Sequence, residues 1–364
     1  MSLHNPAPIT SPLPAAHLTD SVTWPDPQRQ SRFIQWLASL PAELALKPDT
    51  LSPASADASF RRYLRIDSSR GSLVIMDAPP DKEDCKPFVQ VDRLMQEAGL
   101  RVPEILAWEE EQGFLLLSDL GAKTLLQSMD LTAAPPLERY LEAVDLLLQW
   151  QLASKPEVLP VYDQALLRRE LELFPQWYIA QHRQVVLDAK QRSTLDEAFE
   201  RILHNNLSWA SVYVHRDFMP RNLMVSPQGI GVLDFQDAVY GPITYDIASL
   251  MRDAFVSWDE AFCLDVTIRY WQKARKGGLP VGDDFGAFYQ GVEWMGLQRH
   301  LKVAGIFARL TLRDGKPQYL ADTPRFIHYI RSTCARYMAL KPLLRLVEAV
   351  EGIEVPTAFV FGKF

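Results

Sequence analysis

The stretch that most restricts what this chain can fold into is "YVHRDFMPRN" at 213–222, together with "LDFQD" at 233–237. Three oxygen-bearing side chains stand there in order: Asp217, then Asn222 five residues on, then Asp234 twelve beyond that. Pro220 lies between the first two, which places them on a loop rather than inside a helix. The flanking runs "SVYV", "LMV" and "GIGVLDF" read as short strands, and the turn "SPQGI" joins the last two into a hairpin whose second strand ends at Asp234. Such a site has the parts that phosphoryl transfer from a nucleotide requires. One carboxylate can orient an attacking hydroxyl and take its proton, while an amide and a second carboxylate can hold Mg²⁺ through hard oxygen atoms. A lone His-Arg-Asp tripeptide arises easily by chance; the ordered triple between strands, a hairpin and a downstream helix does not.

Composition allows a two-lobed protein. The chain has 364 residues, 48% of them hydrophobic, enough for a sizeable core or two. Its net charge of −7 argues against a sequence-independent grip on nucleic acid. The three cysteines, Cys85, Cys263 and Cys334, are widely separated and show no metal-binding spacing, as expected of reduced, structural thiols in a cytoplasmic protein. The N-terminus has neither a cationic start nor an apolar run, and no segment approaches the roughly 20 apolar residues that span a bilayer, so no membrane association is expected.

Residues 1–26 hold five prolines among small and polar residues and read as a disordered tail. A helix is expected from Asp26, a capping residue, and Pro27, with Phe33, Trp36, Leu37 and Leu40 on one face. Strand, strand, helix, strand, strand follow at "FRRYLRI", "SLVIMDA", "CKPFVQVDRLMQEAG", "PEILAWE" and "GFLLLSD". Beyond "SDLGAK" helices dominate, beginning with "PLERYLEAVDLLLQWQLAS" and "DQALLRRELELFPQWYIAQHR".

"HRDFMPRN" followed by "DFQ" resembles the catalytic loop and metal-binding segment of protein-kinase-like enzymes. With "LDFQDAVYGPITYDIASLM" behind it, the chain is most similar to the aminoglycoside phosphotransferase and choline kinase superfamily. The resemblance implies an α+β, bilobal protein-kinase-like fold: a small antiparallel-sheet N-lobe with one main helix at 27–118, and a larger helical C-lobe at 119–364 that carries the catalytic loop and a β-hairpin. It implies ATP and Mg²⁺ as cofactors, Asp217 as catalytic base, Asn222 and Asp234 as metal ligands, and Asp246 as a brace for the loop. It also implies adenine contacts from the main chain of Ser118 and Leu120.

Two parts of that pattern are displaced. The loop expected to be rich in glycine reads "SPASADASFRRYLRI", with Ser55, Asp57 and Ser59 as its small or polar residues. The strand position expected to carry a lysine holds Met76, so Arg61 and Arg62, just after the loop, become the candidate phosphate cations, and Asp92 the acid that could orient them.

The acceptor is approached through charge. Residues 241–364 carry sixteen Lys and Arg against thirteen Asp and Glu, the wrong sign for a polycationic antibiotic. The run "LQRHLKVAGIFARLTLRDGK" concentrates cations, which makes Arg299 and His300 candidate acceptor contacts beside Glu170 and Trp177 of "RRELELFPQW". Arg221, four residues after Asp217, suits an anionic acceptor or the charge of the transferring phosphoryl group. Taken as a set, "DASFRRYLRI", "MDAPP", "LFPQW", "HRDFMPRNLM", "DFQDAVYGPITYD" and "QRHLKVAGIFARL" resemble the anomeric N-acetylmuramate and N-acetylglucosamine kinases of bacterial peptidoglycan recycling. That family implies a small-molecule sugar as partner and a monomer. Two alternatives stand beside it: a kinase of another small hydroxyl compound, such as an aminoglycoside or amino alcohol, and a catalytically weak pseudokinase that only binds.

Overall fold

The computed structural model describes residues 22–56, 60–69 and 71–353. The chain divides into two compact units, Met1–Arg93 with Val102–Gly121, and Leu94–Arg101 with Ala122–Phe364.

The first unit opens with α1 (Pro27–Ser39), started by Asp26, whose side chain accepts from the Gln28 N–H, and by Pro27 in the first turn. Its buried face carries Phe33, Trp36 and Leu37. An antiparallel sheet follows, built from β1 (Lys47–Ala56), β2 (Arg62–Ser68), β3 (Gly71–Asp77), β4 (Ile105–Glu109) and β5 (Phe114–Ser118), with α2 (Lys86–Glu97) between β3 and β4 in sequence. The strand order is β1-β2-β3-β5-β4. β1 is the strand that sequence pattern misses, because Pro48 and Pro53 interrupt it. It forms as an edge strand, where prolines need not donate to a neighbour, and its pairing with β2 is broken by two register shifts.

Residues 22–26 correct the expected tail. Val22 is buried, and the Trp24 ring stands 4.8 Å from Phe33, so these apolar side chains extend the core beneath α1. Residues 1–21 lie outside the described residues, as do Asp57 and Ser59. So does the side chain of Ser55, whose backbone pairs with Tyr63.

Asp77 ties this unit together. Arg29 donates to its Oδ1 from Nε and Nη2 at 3.0 and 2.7 Å. Arg62 donates to Oδ2 from Nε at 3.1 Å and also from Nη2. Each guanidinium also covers an aromatic face, Arg29 over Phe114 and Arg62 over Trp24, both at 3.9 Å.

The second unit contains β6 (Lys123–Thr124), α3 (Leu125–Ser128), α4 (Leu137–Leu152) and α5 (Gln164–Leu171), and then a π-helical segment over Phe174–His182. The pattern reads α5 and this segment as one helix. Pro175 cannot supply the regular i→i−4 donor there, and the chain widens into longer-range bonding such as Arg183 N to Tyr178 O at 2.9 Å. α6 (Ala189–Leu207) leads to β7 (Ser211–Val214), the hairpin of β8 (Leu223–Ser226) and β9 (Gly229–Val232), and β10 (Val239–Pro242), which pairs with β7. The remaining helices are α7 (Thr244–Met251), α8 (Glu260–Lys276), α9 (Phe285–Leu312), α10 (Thr323–Arg336) and α11 (Lys341–Glu351).

α9 is buried on nearly every side from Gly291 to Ala308. At Gly305 a Cβ would lie 2.4 Å from the Leu173 backbone, so only a hydrogen allows α9 to approach the π-helical segment. Among the described residues no helix is long and apolar enough to cross a membrane.

Removing one shared acid from two partly desolvated arginines strands both. We expect Asp77→Ala to lower unfolding stability by about 3 kcal/mol in urea denaturation.

Candidate active site

The catalytic loop runs from the end of β7 to the start of β8, and its shape is imposed by one buried carboxylate. Asp246, in the first turn of α7, accepts the His215 N–H at 2.6 Å and the Arg216 N–H at 3.0 Å. Burial pushes its carboxyl up to about 7, although those two N–H groups and Arg299 favour the charged form. Arg216 thereby holds φ at +75°, a left-handed conformation that a side-chain-bearing residue adopts only when its surroundings insist. The brace expected for Asp246 is in place.

The three residues picked out by spacing converge. Asn222 Nδ2 donates to the Asp217 carbonyl at 2.9 Å and to Asp234 Oδ2 at 3.3 Å. Gln236 Nε2 donates to Asp234 Oδ1 at 2.9 Å. Asp234 lies beyond the strand rather than at its end, since β9 stops at Val232. Its φ of +63° turns the chain out of the hairpin, while the Leu233 N–H is held by the Asn222 carbonyl at 2.9 Å.

Asp217 is partly exposed. Burial raises its carboxyl pKa, but Lys302, Arg299 and Arg216 outweigh that and hold it below the ordinary carboxylate value. Two of these cations come from α9, and sequence spacing offers no sign that they stand beneath the loop. Arg299 Nη1 donates to the Arg216 carbonyl at 2.6 Å, with its guanidinium 4.8 Å from the Tyr245 ring centroid. Lys302 Nζ reaches the Tyr245 hydroxyl at 3.1 Å.

The buried hub of this network is Glu170 on α5. It accepts from Arg216 Nη2 at 2.6 Å, Gln298 Nε2 at 3.1 Å and the Tyr162 hydroxyl, and pairs with Lys302 Nζ at 3.3 Å. Burial opposes its charge, but Lys302 and Arg216 prevail and lower its pKa to about 2. Arg216, Lys302, Tyr162 and Gln298 are therefore members of a buried network that motif reading misses. Two of them had a sequence cue: Arg216 its place inside the His-Arg-Asp tripeptide, and Lys302 its place in the cationic run at 297–316.

Three candidate acceptor contacts are corrected by this packing. Glu170 is spent on four partners and Arg299 on the loop backbone, because a charge this deeply buried must be paired. His300 faces away from the loop: it hydrogen-bonds the Arg252 carbonyl at 3.0 Å and stacks on Tyr329 at 4.5 Å, and burial lowers its pKa to about 3. Trp177 is partly exposed on the π-helical segment, and the Arg221 guanidinium lies 4.6 Å from the Phe255 ring centroid.

In the first unit, Met76 is fully buried, and Arg62 is committed to Asp77. Arg61 meets Glu83 at 3.1 Å. The acid expected to orient Arg61, Asp92, is buried, its carboxyl pushed up to about 7 by desolvation against the nearby charge of Arg93. At the other end of the unit, Ser118 donates its N–H to the Glu104 carbonyl at 2.9 Å, so that group is not available to a ligand. Leu120 is buried.

Comparison with known proteins agrees with this geometry. Residues 50–284 match the phosphotransferase enzyme family, APH. An N-acetylmuramate/N-acetylglucosamine kinase of Neisseria meningitidis is 47% identical over 340 residues, covering 92% of this chain and 100% of the relative. A kinase of the same description from Pseudomonas aeruginosa is 47% identical over 335 residues, covering 89% and 98%. A choline/ethanolamine kinase family protein from Mesorhizobium loti shares the fold, with a TM-score of 0.60 at 14% identity over 88% of this chain and 99% of that one.

Replacing Glu170 by Gln should cost about 3 kcal/mol, because Arg216 and Lys302 lose their buried acid. The native carboxylate contributes stability above its ordinary pKa of 4.5 and loses it as pH falls toward about 2. Acid titration of unfolding should therefore show a shallower fall between those values in Glu170→Gln than in the native chain.

Proposed function

Because the chain belongs to the phosphotransferase enzyme family, we propose that it is an ATP-dependent kinase of N-acetylmuramate and N-acetylglucosamine that phosphorylates the anomeric C1 hydroxyl. The observation that carries this reading is the Asp217, Asn222 and Asp234 cluster, in a chain 47% identical to kinases named for those two sugars over nearly their whole length.

Asp217 accepts a hydrogen bond from the C1 hydroxyl and takes its proton as the sugar oxygen bonds to the γ-phosphorus. The bond from that phosphorus to the β,γ-bridging oxygen breaks, and ADP leaves. Lys302, Arg299 and Arg216 keep the Asp217 carboxylate charged and so ready to accept. They do so without occupying it, because Glu170, the Arg216 carbonyl and Tyr245 hold the three cations in place.

The donor atoms suit Mg²⁺. Asn222 spends its Nδ2 on Asp217 and Asp234, and its Oδ1 accepts no hydrogen bond among the described residues. With Asp234 it forms a pair of hard oxygen donors, as many as this ion takes when nucleotide phosphates and water complete its shell. A Mg²⁺ ion held by Asn222 and Asp234 would supply charge neutralisation to the nucleotide phosphates. Of the two first-unit candidates, Arg62 shares Asp77 with Arg29 and Arg61 pairs with Glu83; we propose that Arg61 exchanges that pair for the nucleotide phosphates.

An acceptor panel with ATP tests the reading. Formation of the 1-phosphates of both sugars, without turnover of aminoglycosides or choline, is expected; the reverse pattern would sink it. Asp217→Asn should lower kcat about a thousandfold with stability unchanged within error. If the native chain with ATP and Mg²⁺ converts no sugar and Asp217→Asn changes nothing, the binding-module reading gains instead. Arg61→Ala should raise the KM for ATP about tenfold and leave the KM for sugar in place.

A further inference from the structure

We propose that Arg221 is a specificity residue that reads a carboxylate on the acceptor, so that the same site takes an acidic and a neutral amino sugar but favours the acidic one. The inference rests on the sugar-kinase reading above.

Four observations lead to it. Arg221 lies on the short 3₁₀ turn Pro220–Asn222, between the catalytic aspartate and Asn222, and is held there by the backbone bond from Asn222 N to Met219 O at 2.9 Å. Other cations at the loop are already satisfied: Arg216 by Glu170, Lys302 by Glu170 and Tyr245, and Arg299 by the Arg216 carbonyl. Arg221 alone among these four has no carboxylate and no hydrogen-bond acceptor among the described residues, and it is partly exposed. Its guanidinium instead lies 4.6 Å from the Phe255 ring centroid, and Phe255 is backed by Phe307 at 6.1 Å.

Stacking leaves the edge of a guanidinium, with its forked N–H groups, free to meet a planar anion. The platform also removes most of the rotamer freedom that a solvated arginine would lose on binding. Arg216, Arg299 and Lys302 are held by Glu170, the Arg216 carbonyl and Tyr245, whereas the Arg221 guanidinium lies against Phe255. It is thus a cation unpaired among the described residues, on the same loop as the proposed base, four residues from Asp217. N-acetylmuramate differs from N-acetylglucosamine by a lactyl ether on O3, which sets its carboxylate on a side arm two ring carbons from C1. A cation that rests on an aromatic ring and meets no acid among the described residues suits that one added carboxylate.

The test compares kcat/KM for the two sugars. In Arg221→Gln the ratio of N-acetylmuramate to N-acetylglucosamine should fall about thirtyfold, the factor expected for one charge-assisted hydrogen bond. Arg221→Lys should fall between, since a point charge cannot form the fork. A measurement that needs no variant uses the methyl ester of N-acetylmuramate, which the native enzyme should turn over about thirtyfold less efficiently than the acid. Arg221→Gln should not distinguish ester from acid.

Equal losses on both sugars in Arg221→Gln would overturn the inference and assign Arg221 to the phosphoryl group instead. An ester as good as the acid would overturn it too. Inertness of the native chain toward both sugars is a separate result: it would remove the sugar-kinase reading and this inference with it.

Discussion

The buried Glu170 carboxylate is the interaction on which the catalytic half of this protein depends. Through one side chain, α5 is joined to the catalytic loop at Arg216, to α9 at Gln298 and Lys302, and to Tyr162 ahead of α5. None of these charges could be buried alone, since an unpaired ion in a protein interior costs several kcal/mol. Together they form a set in which each partner justifies the burial of the others. The rigidity this confers passes to Arg216, which already carries a left-handed backbone, and so to Asp217 beside it.

A second buried acid completes the arrangement from the opposite direction. Asp246 accepts two consecutive backbone N–H groups of the loop, while Glu170 takes the Arg216 side chain. Backbone and side chain of one residue are thus fixed by different helices, α7 and α5. Asp217 gains a defined position and a field of three cations without giving up its carboxylate to any of them. A general base needs that combination: charged, oriented and unoccupied.

The outline of the fold was legible because its signals are local. Alternating burial marks β2, continuous apolar runs mark β3 and β5, an Asp-Pro pair opens α1, and the order of Asp217, Asn222 and Asp234 carries the site chemistry. The misreadings have equally specific causes. β1 has two prolines and survives because it is an edge strand; the helix after α5 widens at Pro175; Val22 and Trp24 escape notice because the prolines around them dominate the composition. Arg61 and Arg62 are adjacent in sequence and look equivalent, yet one meets Glu83 and the other is bound to Asp77.

By itself the sequence determined the reaction type. The three residues proposed to hold the metal and take the proton lie within one loop and hairpin, so their spacing along the chain is already their geometry. What only the tertiary structure decided is the assignment of the charged residues on α5 and α9. Glu170, Arg299, His300 and Lys302 all read as polar residues on amphipathic helices, able to face solvent, substrate or core. Their roles depend on which face α9 turns toward a loop more than eighty positions earlier. No local pattern encodes that choice, because it follows from burial: Glu170, Arg299 and Lys302 went where a partner waited, whereas Arg221, which meets no acid among the described residues, lies against Phe255.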